Sequence, residues 1–176
     1  FDTDIVIFGP EDHVVFRRVG PSNFVKDPVR VGGPATDLAD VNGDGVLDGV
    51  CCSSGGSGFN TAISRFEIAI NDGTGVFTVL QNVKSGAHYY MEVAELNGDG
   101  MLDIVGPDDG VDRYLLNQGN DAQGRADFVQ FVFPSQTGVL NGGNVVIEDL
   151  DQDGWNDVII CDVDVDIAGC NHRTFI

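Results

Sequence analysis

The sequence predicts an all-β repeat protein, and three observations predict it. A nine-residue acidic loop recurs three times, as Asp40-Val-Asn42-Gly-Asp44-Gly45-Val-Leu-Asp48, Glu95-Leu-Asn97-Gly-Asp99-Gly100-Met-Leu-Asp103 and Asp149-Leu-Asp151-Gln-Asp153-Gly154-Trp-Asn-Asp157. The first residues of the copies lie 55 and 54 positions apart, and a fixed period of this length marks a repeat architecture. Between the loops run short stretches rich in β-branched and aromatic residues, broken by turn residues, with no window of helical period. The 24 glycines also argue against helix.

The elements follow in order. At the N-terminus Asp4-Ile5-Val6-Ile7 matches Asp103-Ile104-Val105, so Asp4 reads as the ninth position of a missing loop and residues 1–23 as the later strands of a unit. After each loop comes a β-prone run: Gly49-Val50-Cys51-Cys52, Ile104-Val105 and Val158-Ile159-Ile160. A second run follows at 65–70, 113–116 and 173–176. A third run is aromatic-rich, at 76–80 and 128–133, and Asn71-Asp72-Gly73 is a turn before the first of these. The chain stops at Phe175-Ile176, inside a second-run strand. This divides it into a partial unit (1–34), two full units (35–86 and 87–139) and a partial unit (140–176). Both ends read as cut in mid-unit, so the expectation is a fragment, or a subunit completed by the same or another chain. The apolar, β-prone edges at 4–7 and 173–176 would then template pairing.

The loops have the chemistry of a hard-cation site. Calcium takes six to eight oxygen ligands, and short loops supply them from alternating positions. Positions one, three, five and nine are Asp, Asn or Glu: Asp40, Asn42, Asp44 and Asp48; Glu95, Asn97, Asp99 and Asp103; Asp149, Asp151, Asp153 and Asp157. Position seven offers a backbone carbonyl, from Val46, Met101 or Trp155. Position six is always glycine, which a sharp turn with positive φ favours. A bare Asn-Gly-Asp-Gly hairpin turn would explain one copy, but not acidic residues at positions one and nine of every copy. Magnesium, which keeps its waters, fits less well than calcium. The expectation is three calcium sites, the Glu95 site being the weakest because a longer side chain stands at position one.

With loop and spacing together, the chain resembles the FG-GAP and VCBS repeats, whose signature is Asp-x-Asn/Asp-x-Asp-Gly-x-x-Asp. The likeness includes the small residue before the loop (Ala39, Ala94) and the apolar strand after it; the third repeat departs with Glu148. It implies that each repeat is one four-stranded antiparallel blade of a β-propeller, integrin-α-like and of seven or eight blades, with the acidic loop joining the first and second strands. It also implies an opposite face, carrying His13, His88, His172, Asp12, Asp108, Asp109, Asp162, Asp164, Asp166, Tyr89 and Asn141, where recognition occurs.

Net charge is −19, ten units of it in the three loops. Three calcium ions would leave −13, which still argues against nucleic acid and anionic membrane surfaces. No run of 18 apolar residues exists, so no membrane-spanning helix is expected. Cysteines stand at 51, 52, 161 and 170. A Cys161–Cys170 bridge closing a hairpin is one pairing, a vicinal Cys51–Cys52 bridge another, and buried filler a third reading. Cysteine and calcium together suggest an extracellular, secreted protein.

No catalytic constellation stands out: there is no Gly-x-Ser-x-Gly elbow, no zinc-type Cys pair and no phosphate-cradling loop before a helix. Asp162-Val-Asp164-Val-Asp166 reads as a solvated acidic edge before a fourth cation site. Tyr89-Tyr90 reads as packing before a sugar platform, and His88 with Glu92 is half a metal site that nothing completes. The leading expectation is lectin-like recognition or cell adhesion toward a glycan or protein ligand. The alternatives are the propeller portion of a secreted carbohydrate-active lyase or dehydratase, and a structural subunit of an extracellular assembly.

Overall fold

The computed structural model describes residues 5–7, 14–26, 35–54, 64–75, 77–85, 91–108, 111–134, 142–162 and 173–175. Among them are fourteen strands and no helix, so the all-β expectation holds. A first sheet contains β1 (Ile5–Ile7), β2 (Val14–Gly20) and β3 (Asn23–Lys26). A second contains β4 (Ala35–Ala39), β5 (Asp48–Ser54), β6 (Ser64–Asn71) and β7 (Phe77–Ser85). A third contains β8 (Glu92–Ala94), β9 (Asp103–Gly106), β10 (Arg113–Asn120) and β11 (Ala126–Val132). The fourth contains β12 (Gly142–Glu148), β13 (Asp157–Asp162) and β14 (Arg173–Phe175). Every sheet is an antiparallel meander in chain order, and none closes on itself.

The post-loop runs lie in β5, β9 and β13, and the second runs in β6, β10 and β14. The aromatic runs lie in β7 and β11, with Phe133 just past the strand end. The strands that precede the loops, β4, β8 and β12, were not singled out by pattern. One is only three residues long and another begins Gly142-Gly143, so neither offers an apolar alternation to read.

Packing explains why the post-loop strands are continuous apolar runs. Ile104 and Val105 are adjacent in β9 and point to opposite faces of the third sheet. Ile104 joins Val50, Ile68, Leu115 and Phe128 in a core against the second sheet. Val105 joins Val145, Val158 and Ile160 in a core against the fourth, with Tyr114 alongside. A sheet covered on both faces has no polar face to alternate with. Each fully buried Ile or Leu here contributes about 1.5–3 kcal/mol. Tyr114 extends the second core by stacking on Phe131 (centroids 5.3 Å apart) and tilting against Phe133 (4.8 Å).

The second and third sheets, and the third and fourth, meet at their first strands, β4 with β8 and β8 with β12. A hydrogen bond ties the first of these pairs: the Val93 N–H donates to Asp37 Oδ2 at 3.1 Å. Glu92, beside it, titrates above the ordinary carboxylate range because it is partly buried and faces the Asp37 carboxylate.

Cys161 is half-buried and carries a free thiol; Cys170, its expected partner across the hairpin, lies outside the described residues. One expectation is corrected. Asp108 does not present a surface carboxylate. It is 5 % exposed, forms an ion pair with Arg113, and its N–H donates to Asp112 Oδ1 at 3.0 Å. It clamps the β9–β10 connection. The histidines at 13, 88 and 172, with Asp12, Tyr89, Tyr90, Asp109, Asn141, Asp164 and Asp166, lie outside the described residues.

Candidate metal centre

The three acidic loops occupy equivalent places, joining β4 to β5, β8 to β9 and β12 to β13. Each is held by a common set of internal bonds. The position-five N–H donates to the position-three side-chain oxygen: Asp44 to Asn42 at 3.0 Å, Asp99 to Asn97 at 3.1 Å and Asp153 to Asp151 at 3.1 Å. The position-seven N–H donates to the position-five carboxylate: Val46 to Asp44 at 2.9 Å, Met101 to Asp99 at 2.8 Å and Trp155 to Asp153 at 2.9 Å. These are Asx turns, which explains why short polar side chains alternate with backbone that curls.

Positions four and six have positive φ in every loop. Position six is Gly45, Gly100 or Gly154, with φ of 88°, 81° and 96°. Position four is Gly43 or Gly98 in two loops, but Gln152 in the third, at φ 64°. That is the one non-glycine residue in left-handed backbone among the described residues.

Position nine works differently from positions one to seven, and the sequence pattern hid this. Asp48, Asp103 and Asp157 begin the second strands and are 0 %, 0 % and 4 % exposed. Asp103 is bonded through both oxygens: Oδ2 accepts from the Leu96 N–H at 3.0 Å and Oδ1 from the Asn117 N–H at 2.8 Å. Asp157 Oδ2 accepts from the Leu150 N–H at 2.9 Å. Asp48 Oδ1 accepts from the Asn71 N–H at 2.9 Å. Its Oδ2 is buried with no hydrogen-bond partner among the described residues, although the Val41 amide lies near enough to favour the ionised form. Burial pushes Asp48 up to about 6; the Asn71 bond opposes this, and the Asp44 and Asp40 carboxylates add to it. Asp103 is pushed up too, by burial first, while its two amide bonds pull the other way.

Position one separates the second loop from the others. Asp40 accepts from the Asp44 N–H (3.0 Å) and the Gly45 N–H (2.8 Å). Asp149 accepts in the same way from Asp153 (3.1 Å) and Gly154 (3.0 Å). Glu95, one methylene longer, bonds instead to the N–H groups of Asn97 and Gly98. In the third loop Asp149, Asp151 and Asp153 bring carboxylate oxygens within 4.8 Å of one another, the one such acidic group among the described residues.

Sequence reasoning missed the asparagines that tie loops to neighbouring strands. Asn117, 2 % exposed, donates through Nδ2 to Leu102 O (3.2 Å) and to Val41 O of the preceding sheet's loop (2.9 Å). Its Oδ1 accepts from the Gly119 N–H at 2.9 Å. Asn71 holds the same place in the second sheet, donating to Leu47 O at 3.1 Å. Asn120 reaches Asn42 O at 2.7 Å, and Asn156 reaches Glu95 O at 2.8 Å. The signal was an Asn-x-Gly at the end of each second run, Asn71-Asp72-Gly73 and Asn117-Gln118-Gly119, of which only the first was read, and only as a turn.

All fifteen residues singled out from the sequence therefore lie in three equivalent loops, and the donors they offer are oxygen atoms only. That suits a hard cation and no soft one. Comparison with protein-family models, with curated proteins and with solved structures gives no match.

Proposed function

We propose that the chain is part of a calcium-stabilised β-propeller of the FG-GAP/VCBS type, secreted, and serving in recognition of a glycan or protein ligand. The observation that carries the calcium reading is the repeated loop frame, in which three carboxylates converge in the third loop and, in the first, the buried Asp48 Oδ2 has no well-formed hydrogen bond among the described residues, the Val41 amide being its near neighbour. Three calcium ions would be held by positions one, three, five and nine and by the position-seven carbonyls. A cation there would offset the mutual repulsion of three or four carboxylates per loop. The propeller reading is supported by antiparallel meanders in chain order, of which the second, third and fourth meet through their first strands, as the inner strands of neighbouring blades do.

Metal analysis of the purified protein, with melting in calcium, magnesium and chelator, tests the first part. Bound calcium, a lower Tm in chelator and poor rescue by magnesium are expected. An unchanged Tm together with a metal-free protein would overturn it. A glycan array run in calcium and in chelator tests the recognition role, with calcium-dependent binding expected.

A further inference from the structure

The second and third loops touch. Asn156 of the third loop donates to the backbone carbonyl of Glu95, position one of the second. The Trp155 ring lies against Gly98, so closely that a Cβ there would fall 2.8 Å from two ring carbons. Gly98 also has φ 78° and its N–H is one of those held by Glu95. The third loop thus grips the second at Glu95 and at Gly98, whose N–H the Glu95 side chain holds.

We infer that the two loops bind cations in order and in concert, an inference that rests on the calcium reading above. The third loop, which offers four carboxylates where the second offers three, binds first. The ion fixes Asp153 and the Trp155 carbonyl, and so fixes the Trp155 ring and Asn156. These hold Glu95 and Gly98, and the second loop then loses less conformational freedom when it binds. Coupling is reciprocal, so an ion in the second loop tightens the third by the same factor. Through-space repulsion between two bound cations has the opposite sign, and beyond about 8 Å it is screened at physiological salt.

Trp155 is the one tryptophan of the chain and is 54 % exposed, so it sensitises terbium bound in either of these loops. Terbium titration of the intact protein in 0.15 M salt, competed by calcium, should show two phases. Asn156→Ala removes the exposed linking side chain and no ligand. It should weaken the weaker phase about 3–10-fold while shifting the tighter phase less than the weaker. Its Tm in chelator should match the parent, which shows that folding is intact. Two phases with affinities unchanged by Asn156→Ala would overturn the coupling and leave the calcium reading standing. Absence of any terbium signal that calcium competes away would overturn both.

Discussion

The second and third loops share a frame and differ at its entrance. In both, the position-five and position-seven amides cap the side chains two residues earlier, and the position-two amide caps the buried Asp at position nine. Of the hydrogen bonds inside the loops, those of position one differ. Asp149 spans to the amides of Asp153 and Gly154 and draws the loop round itself, whereas Glu95 satisfies the nearer amides of Asn97 and Gly98. The frame of such a loop is therefore written by its Asx turns and its buried ninth residue. The third loop gathers three carboxylates because position three is Asp151, where the other loops have Asn42 and Asn97.

The largest way to break the comparison is at the shared part. Asp103→Ala strands two amides, of Leu96 and Asn117, next to a fully buried site. It should cost about 2–4 kcal/mol, since each unsatisfied buried donor costs about 1–3 kcal/mol. The loss should be similar in calcium and in chelator, because the carboxylate holds strands whether or not an ion is present. Chemical denaturation in both media checks this; a loss confined to calcium would mean that position nine is a ligand alone.

A second test probes the buried ninth residue of the first loop by pH. Asp48 is pushed up from 3.8 to about 6, so between these values the folded protein holds a proton that the unfolded chain has released. Its contribution to stability is fully present below about pH 4 and is lost as pH rises through about 6. The loss is on the order of 1–3 kcal/mol. Asp121, clasped by Arg125, is shifted down and works in the opposite direction, so the Asp48→Asn variant is the proper reference. In chelator the stability of the parent relative to Asp48→Asn should fall from pH 4 to pH 7. In saturating calcium the fall should shrink or reverse, because the ion selects the ionised carboxylate.

Much of this was legible in the sequence, for identifiable reasons. Strands buried on both faces, such as that of Ile104 and Val105, announce themselves as unbroken apolar runs. Loop residues repeat at fixed positions, so Asp40, Glu95 and Asp149 could be aligned by eye. What stayed hidden depends on contacts between repeats. Asn117 bonding to Val41 O spans 76 residues, and Asn156 bonding to Glu95 O spans 61. No local pattern encodes such a pair. Burial of Asp108 beside Arg113 was equally invisible, since an Asp in a loop normally reads as solvated.

The third test asks what the gathered carboxylates of the third loop are for. If they hold calcium with a Kd of roughly 0.1–1 mM, as extracellular modules do, the ion contributes about 0.4–1.4 kcal/mol per site at about 1 mM. Asp153→Ala should therefore lose that much more stability in calcium than in chelator. Asp99→Ala should show a smaller difference. Equal differences would erase the distinction between the loops.

The smallest effect sharpens the comparison from the backbone side. Gly43 and Gly98 fill position four in the first two loops, at φ 72° and 78°, while Gln152 holds φ 64° in the third. A residue with a Cβ in that region is strained by about 1–2 kcal/mol, and glycine forfeits about 0.5–1 kcal/mol through its freer unfolded chain. Gln152→Gly should therefore stabilise by about 0.5–1 kcal/mol, the difference between these terms. Gly98→Gln should do much worse than the reverse of this change, because the Trp155 ring already occupies the space a Cβ would need. Melting of both variants in chelator decides the matter without any ion. Should Gln152→Gly prove neutral or destabilising, the Gln152 side chain must be contributing to the third loop, and its backbone strain would be offset there.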